Sequence, residues 1–206
     1  MIIDSVKKYK GTTYEVVIDG NRIWLHKDIV ADYGLAYKKE ISEEKYTDML
    51  LASDRRRAVE RGMYLLDYRD YSYKELFKKL SENYDEEICY YAVDKLVSLG
   101  IINDRRYAEN LARKYIEVKK YGFYRASNEM YRKGIDRELV DEILEVYRDS
   151  TSDRICELIN KKYHDCLDDR DKLRKMKNAL VRQGYSFDEI NTAVRMLECA
   201  DDDEYQ

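Results

Sequence analysis

Proline is absent from the chain. That removes the residue that most often breaks helices, and it excludes proline-rich linkers. The eight glycines all stand alone, so no glycine-rich phosphate cradle can be assembled from them. Two histidines and four cysteines, with no Cys-x-x-Cys spacing, are too few and too scattered for a four-ligand zinc site. The "HDC" at 164–166 is the nearest approach. The cysteines at 89, 156, 166 and 199 read as free, mostly buried thiols in a reducing compartment. No stretch approaches the ~18 apolar residues of a membrane span, and the opening "MIIDSVKKYKG" lacks a signal-peptide core. A soluble, cytoplasmic protein is expected. HExxH, GxSxG and Walker patterns are missing, as is any Cys-His arrangement at a recognisable spacing. Acidic pairs such as Asp168-Asp169 mean little among 42 acidic residues. Neither an enzyme nor a cofactor is expected.

What the chain has is tyrosine: 21, against three phenylalanines and one tryptophan. Tyrosine suits half-wet helix faces, where the ring packs and the hydroxyl meets water. It also suits stacking platforms for nucleic-acid bases.

The first 26 residues read as strands. "IIDSVKKY", "TTYEVVID" and "NRIWLH" are separated by Lys10-Gly11 and Asp19-Gly20, and Asp-Gly is a hairpin signal. The pattern predicts a three-stranded meander, with Tyr14, Val16, Ile18, Ile23 and Leu25 on its apolar face. "KDIVADYG" then reads as a short helix closed by Gly34.

From Ser42 the pattern is helical, with Gly62 a weak point in the first long helix. Three segments share one apolar stripe: Tyr73, Leu76, Leu80; Phe123, Ala126, Met130; Leu173, Met176, Leu180. The offset is about 50 residues both times, the signature of a repeat. Val140, Ile143, Leu144 and Tyr147 align with Ile190, Ala193, Val194 and Leu197. Ile88, Tyr91, Ala92 and Leu96 take that part in the first unit. Gly134 and Gly184 stand where helices end, and Asp85, Asp136 and Ser186 where the next ones begin. Ser72-x-x-Glu75 and Ser186-x-x-Glu189 have the spacing of capping boxes.

The expected architecture is mainly α: an elongated, curved array of three tandem three-helix repeats behind a small N-terminal β-meander. The predicted boundaries are 1–41 for the meander and short helix, then 42–100, 101–149 and 150–199 for the repeats. An acidic tail occupies 200–206. The equal period favours an array over a compact nine-helix bundle.

The net charge is −4, but it is segregated. Residues 103–133 carry nine basic and four acidic side chains (9 − 4 = +5); 134–171 carry six and twelve (6 − 12 = −6); 172–198 carry six and three (6 − 3 = +3). Such a layout either steers an acidic partner or pairs neighbouring repeats internally. Within the basic block, Lys119, Lys120 and Arg125 crowd against Tyr121 and Tyr124 around a predicted turn, a mixture that suits a phosphate backbone with stacked bases. "GIINDRRYAENLARKY" (100–115) poses a separate puzzle. Asn103 and Asp104 are good caps, yet Arg105 and Arg106 come next, in the first turn, where cations oppose the helix dipole. Either a neighbouring carboxylate or an external anion must offset them. Arg106 fits the first role and Arg105 the outward one.

These residues resemble the RecX-type regulators of the bacterial recombinase RecA. An Arg-x-x-Ser-x-x-Glu-Leu pattern is met by Arg69, Ser72, Glu75 and Leu76. A Gly-x-Ile-Asn/Asp-Asp-x-Arg-Tyr-Ala pattern is met by Gly100, Ile102, Asn103, Asp104, Arg106, Tyr107 and Ala108. A Gly-x-x-Arg…Lys-Gly-Ile pattern is met by Gly122, Arg125, Lys133, Gly134 and Ile135. The segment "LVRQGYSFDEI" (180–190) also fits, while Ala126, Ser127 and Met130 stand where larger aliphatic residues are common. The resemblance implies a non-enzymatic protein that binds RecA and its filament on single-stranded DNA and damps its activities. The expected partners are RecA and single-stranded DNA; the expected state is a monomer. Candidate contact residues are Arg69, Arg105, Arg106, Arg113, Lys119, Lys120, Arg125 and Lys133. A helical adaptor that binds another protein through its groove, without nucleic acid, is the alternative, favoured by the sequence pI of about 5.5.

Overall fold

The computed structural model describes residues 1–167 and 169–203; Asp168 and the end of the acidic tail from 204 lie outside the described residues. Three strands, β1 (Ile3–Lys10), β2 (Thr13–Ile18) and β3 (Asn21–His26), form an antiparallel meander in the order β1-β2-β3. Ile18 pairs with Asn21 across a two-residue turn in which Asp19 and Gly20 both have positive φ, as Asp-Gly predicts. The expected face forms, since Tyr14 lies opposite Leu25 and Val16 opposite Ile23. A sheet this small needs a partner layer. It finds one in Ile29 and Val30 of α1 (Lys27–Asp32), in Leu35 and Ile41, and in Met49 of α2 (Glu43–Leu66). Gly34 closes α1 at φ +63°, with Gly34 N–H donating to Ala31 O and Leu35 N–H to Val30 O.

The remaining helices are α3 (Tyr73–Leu80), α4 (Glu86–Ser98), α5 (Asp104–Ala112), α6 (Phe123–Arg132), α7 (Arg137–Glu145), α8 (Thr151–Lys162), α9 (Arg170–Arg182) and α10 (Phe187–Asp203). A π-helical stretch, Arg113–Val118, prolongs α5. Two compact units emerge: one holds 1–70 and 76–102, the other 71–75 and 103–206.

The three apolar trios behave alike. Tyr73, Phe123 and Leu173 are half-buried, while Leu76, Leu80, Ala126, Met130, Met176 and Leu180 are buried. The second stripe differs in the first repeat. Of the four positions expected on α4, Ile88, Ala92 and Leu96 are buried and Tyr91 is exposed, with Cys89 and Val93 completing the buried face. The spacing from Asp85 to Asp136 is 51 rather than 50, and α4 follows its own cap. Gly62 is no weak point. α2 runs through it, and a methyl there would lie 2.7 Å from Leu96 Cδ1, so glycine permits the close packing of α4. Among the cysteines only Cys89 is buried; Cys156 and Cys166 are half-buried and Cys199 is exposed.

In the second unit one junction recurs at the repeat interval. Ser72 Oγ donates to Lys133 O at the end of α6 (2.5 Å), and Gly122 N–H donates to Gln183 O at the end of α9 (2.9 Å). The next residues, Gly134 (φ +77°) and Gly184 (φ +98°), turn the chain in the left-handed region. A methyl on Gly184 would lie 2.5 Å from Arg125 N, and one on Gly134 2.8 Å from Lys74 Cβ. Glycine is therefore required twice over, for backbone conformation and for space. The Ser186 capping box forms reciprocally: Glu189 N–H donates to Ser186 Oγ (3.2 Å) and Ser186 N–H to Glu189 Oε2 (2.7 Å). Ser72 Oγ accepts from Glu75 N–H (3.1 Å), while the Glu75 carboxylate receives Lys133 Nζ and Tyr107 Oη at 3.2 Å each. Asp85 and Asp136 occupy N-cap positions without a side-chain cap bond.

Candidate partner-binding surface

α5 is capped by Asn103, whose Oδ1 accepts Arg106 N–H at 2.9 Å. Its continuation winds wider between Arg113 and Val118, where Lys119 N–H reaches back five residues to Lys114 O (3.0 Å). Tyr115 and Ile116 stay buried through this stretch, so the extra backbone re-aims Lys119 and Lys120 beyond them. Such π-helical insertions recur at functional sites. Two residues past the segment, Lys120 adopts φ +54°. A side chain in that region costs about 1–2 kcal/mol relative to glycine. Lys120 O accepts the hydroxyl of buried Tyr185 (3.0 Å), which fixes the turn.

Here the π-helical segment and α8 enclose a cavity of about 190 Å³ lined by Val118, Lys119, Lys120, Glu157, Leu158, Lys161, Lys162 and Gln183. Four lysines and one glutamate are among the residues that line it. Lys120 Nζ donates to Glu157 Oε2 at 2.9 Å, and this bond and charge hold the Glu157 carboxyl below its ordinary range. Cations and rings are layered beside the cavity. Lys119 Nζ lies 5.3 Å from the Tyr115 ring centre and 5.5 Å from that of Tyr121; the Arg125 guanidinium lies 4.1 Å from Tyr121. Tyr124 is 74% exposed on the first turn of α6. A surface of this kind can hold phosphate or carboxylate oxygens and offer an aromatic face.

The other predicted contact residues scatter. Arg105, expected to point outward, forks both oxygens of Glu142 on α7 at 2.9–3.0 Å, which offsets its place at the positive end of α5. That bond raises the Arg105 pKa and lowers that of Glu142. Arg106 and Arg113 are exposed on α5 and its continuation. Lys133 pairs with Glu75, and Arg125 also donates to Arg182 O (3.3 Å). Arg69, in the first unit, donates to Asp70 O (3.0 Å). Sequence reasoning missed Lys161 and Lys162, which sit at the end of α8 inside a stretch of net charge −6. Averaging over that stretch hid them.

A mainly helical protein of three-helix repeats behind a small sheet is the class that this fold defines. No group of three or more metal-ligating side chains occurs among the described residues, and none of their helices is long and apolar enough to cross a membrane. Three family profiles match in order: the first three-helix domain of RecX over residues 58–96, the second over 103–144 and the third over 150–194. The chain belongs to the RecX family of regulatory proteins. It is similar to the regulatory protein RecX of Clostridioides difficile, 28% identical over 178 residues that cover 85% of this chain and 84% of that one. The regulatory protein RecX of Chlorobium phaeobacteroides is 30% identical over 146 residues, 70% of this chain and 96% of that one. The crystal structure of RecX from Lactobacillus salivarius covers 72% of this chain and 99% of its own at a TM-score of 0.66 and 28% identity. A further crystal structure, of a regulatory protein RecX, reaches a TM-score of 0.74 over 93% of this chain at 20% identity, a likeness of fold.

Proposed function

We propose that this chain is a non-enzymatic, monomeric cytoplasmic regulator that binds RecA and its filament on single-stranded DNA and inhibits the recombinase, ATPase and SOS co-protease activities. The observation that carries the reading is the match of all three helical units, in order, to the three RecX domains. The lysine-lined cavity at the end of the π-helical segment, with the layered residues beside it, is the contact surface: Lys119, Lys120 and Arg125 are retained from the sequence-based set and Lys161 and Lys162 added. Lys120 supports that choice: glycine would relax φ +54° at no steric cost, yet a cation stands there. Inhibition requires that the protein bind one filament state more tightly than another.

The test is DNA-dependent ATP hydrolysis by RecA filaments titrated with this protein. Hydrolysis falls for the native chain. For the combined variant Lys119→Glu, Lys161→Glu, Lys162→Glu the inhibitory midpoint moves up at least about tenfold, with circular dichroism unchanged. No inhibition by the native chain at large excess sinks the regulator reading. An unchanged midpoint in the variant removes the cavity from it.

A further inference from the structure

The first repeat leaves open a seam that the other two close. By the repeat spacing, Tyr91 of α4 corresponds to Ile143 of α7 and Ala193 of α10. Ile143 and Ala193 are buried, each in the core of its own repeat. Tyr91 is 43% exposed, and Val93 takes its place on the buried face of α4. The Tyr91 side chain instead lines a cavity of about 390 Å³ formed by α1, α2 and α4. Ile29, Ala52, Val59 and Met63 supply its apolar lining, and Met63 is itself exposed. The volume falls within the range of small-molecule sites, about 300–1,000 Å³.

The polar groups of the lining divide into the committed and the uncommitted. Three acids, Asp28, Asp32 and Glu60, balance three bases, Arg55, Arg56 and Lys95, so net charge selects no ligand. Arg56 is committed, since it pairs with Asp28 Oδ2 (3.0 Å) and with Glu60 Oε1 (2.9 Å). Arg55 is committed only in part. Its Nη2 donates to Glu87 Oε1 (2.5 Å), and its guanidinium lies 4.8 Å from the Tyr91 ring centre. Its Nε is buried and has no hydrogen-bond partner among the described residues. A buried N–H on a charged group is costly to leave unpaired, so an acceptor that reached it would be strongly favoured. Lys95 follows Tyr91 by four residues, lies on the same face of α4 and lines the same cavity. An orphaned guanidinium N–H, a nearby ammonium, an exposed ring and an exposed thioether suit one kind of guest. It is a flat apolar body that ends in a carboxylate.

We propose that this cavity binds a small aryl carboxylate, with the ring against Tyr91 and Met63 and the carboxylate on Arg55 Nε–H, Lys95 serving as the second cation. Aromatic rings pack favourably on one another and on thioether sulfur, and a carboxylate forms its stronger hydrogen bonds with charged donors. A second copy of the chain, inserting an exposed side chain, is the competing occupant and an outcome of the test. The site lies in the first unit, which holds none of the lysine-lined cavity, so the inference stands apart from the filament reading.

The experiment is proton–nitrogen correlation NMR of the full chain, titrated at neutral pH with 3-phenylpropionate. Its neutral amide and 3-cyclohexylpropionate serve as controls for the charge and for the flat ring. In the native protein the amide signals of Ile29, Val59, Met63 and Tyr91 shift and saturate. The expected dissociation constant is on the order of 1 mM, as befits a ligand of about eleven heavy atoms. The neutral amide binds about tenfold more weakly, through loss of the charge-assisted bond. The cyclohexyl acid binds about threefold more weakly, through loss of the ring contact. Arg55→Gln with Lys95→Gln brings acid and amide to equal affinity. Ala52→Leu adds volume to the cavity wall, keeps every charge and weakens all three ligands about tenfold. The comparisons among ligands need no variant, so a variant that failed to fold would leave the inference open to refutation. Absence of saturable shifts in the native chain well above the expected constant overturns it. So do equal affinities for acid and amide, equal affinities for the aryl and cyclohexyl acids, or binding that Ala52→Leu leaves unchanged. Sedimentation velocity over a wide range of protein concentration examines the competing occupant: self-association that Ala52→Leu abolishes assigns the cavity to a second copy and overturns the ligand reading. None of these readouts involves RecA, so their failure and that of the filament reading are separate.

Discussion

Asp104 shows how much a single side chain can depend on distant partners. It sits one place inside the N-terminus of α5, where a carboxylate ordinarily serves its own helix. That task falls to Asn103, and the Asp104 carboxylate instead accepts Tyr73 N–H at the start of α3 (2.9 Å). Burial pushes its carboxyl above the ordinary value of 3.8, and the Tyr73 N–H only partly opposes this. The folded protein therefore holds this proton to higher pH than the unfolded chain does. Its contribution to stability is full below about pH 3.8 and is lost as pH rises through the folded value. Asp104→Asn keeps an acceptor oxygen without a charge to desolvate. At pH 7 the variant should match or exceed native stability, and its advantage should shrink as pH falls towards 3.8. Urea midpoints of both proteins between pH 3.5 and 7 measure this; a difference independent of pH would refute it. Arg105 makes the companion point. The helix dipole flags its position from local sequence alone. The carboxylate that answers it, Glu142, lies 37 residues away and could not be located from the sequence.

Among the elements, helix ends were legible and helix registers less so. The 50-residue period, the trios and the glycine stops all derive from spacing, because a stripe and a left-handed turn impose local rules. On α4 the spacing locates Ile88, Ala92 and Leu96 but does not reveal that Val93, rather than Tyr91, completes the buried face. The π-helical segment escaped notice because its buried residues, Tyr115 and Ile116, continue the α-helical stripe of Leu111 and Ala112. The glycine stops invite a comparison. Gly100 turns at φ +69° in open space, whereas Gly184 turns at φ +98° against the backbone of Arg125. Gly100→Ala should cost about 1 kcal/mol, the conformational term alone. Gly184→Ala adds a backbone clash and should cost roughly 2–4 kcal/mol. Equal losses in urea denaturation would mean that the junction yields, and that the close approach of α6 to the end of α9 is not a constraint.

For the molecule as a whole, the sequence shows charge segregated along the chain, and folding uses part of it. Arg105 with Glu142 and Lys120 with Glu157 join the basic and acidic stretches within the second unit, and Lys74 pairs with Asp136 of the acidic one. The cations of the lysine-lined cavity and of α9 outnumber the acids beside them, and only the folded chain shows which those are, since Lys161 and Lys162 approach Lys119 across about 40 residues of sequence. A net charge of −4 then acts against these patches when the partner is a polyanion. The two effects have different ranges. The Debye length is about 30 Å at 0.01 M salt, so the whole acidic chain is felt; at 0.15 M it is about 8 Å, and the nearest cations dominate. Added salt first weakens the general repulsion while it weakens the local attraction. Affinity for a filament on single-stranded DNA should therefore change little up to roughly 0.05 M, then fall steeply above 0.1 M. An adaptor that used an apolar groove and no phosphate contacts would give a flat profile throughout. Binding curves from 0.01 to about 0.3 M salt separate the two, and Lys161→Gln with Lys162→Gln, which makes the chain more acidic, should make the upper limb shallower and weaken binding on the lower one. A flat upper limb in the native protein would assign the interaction to apolar contacts and remove the cationic surfaces from it.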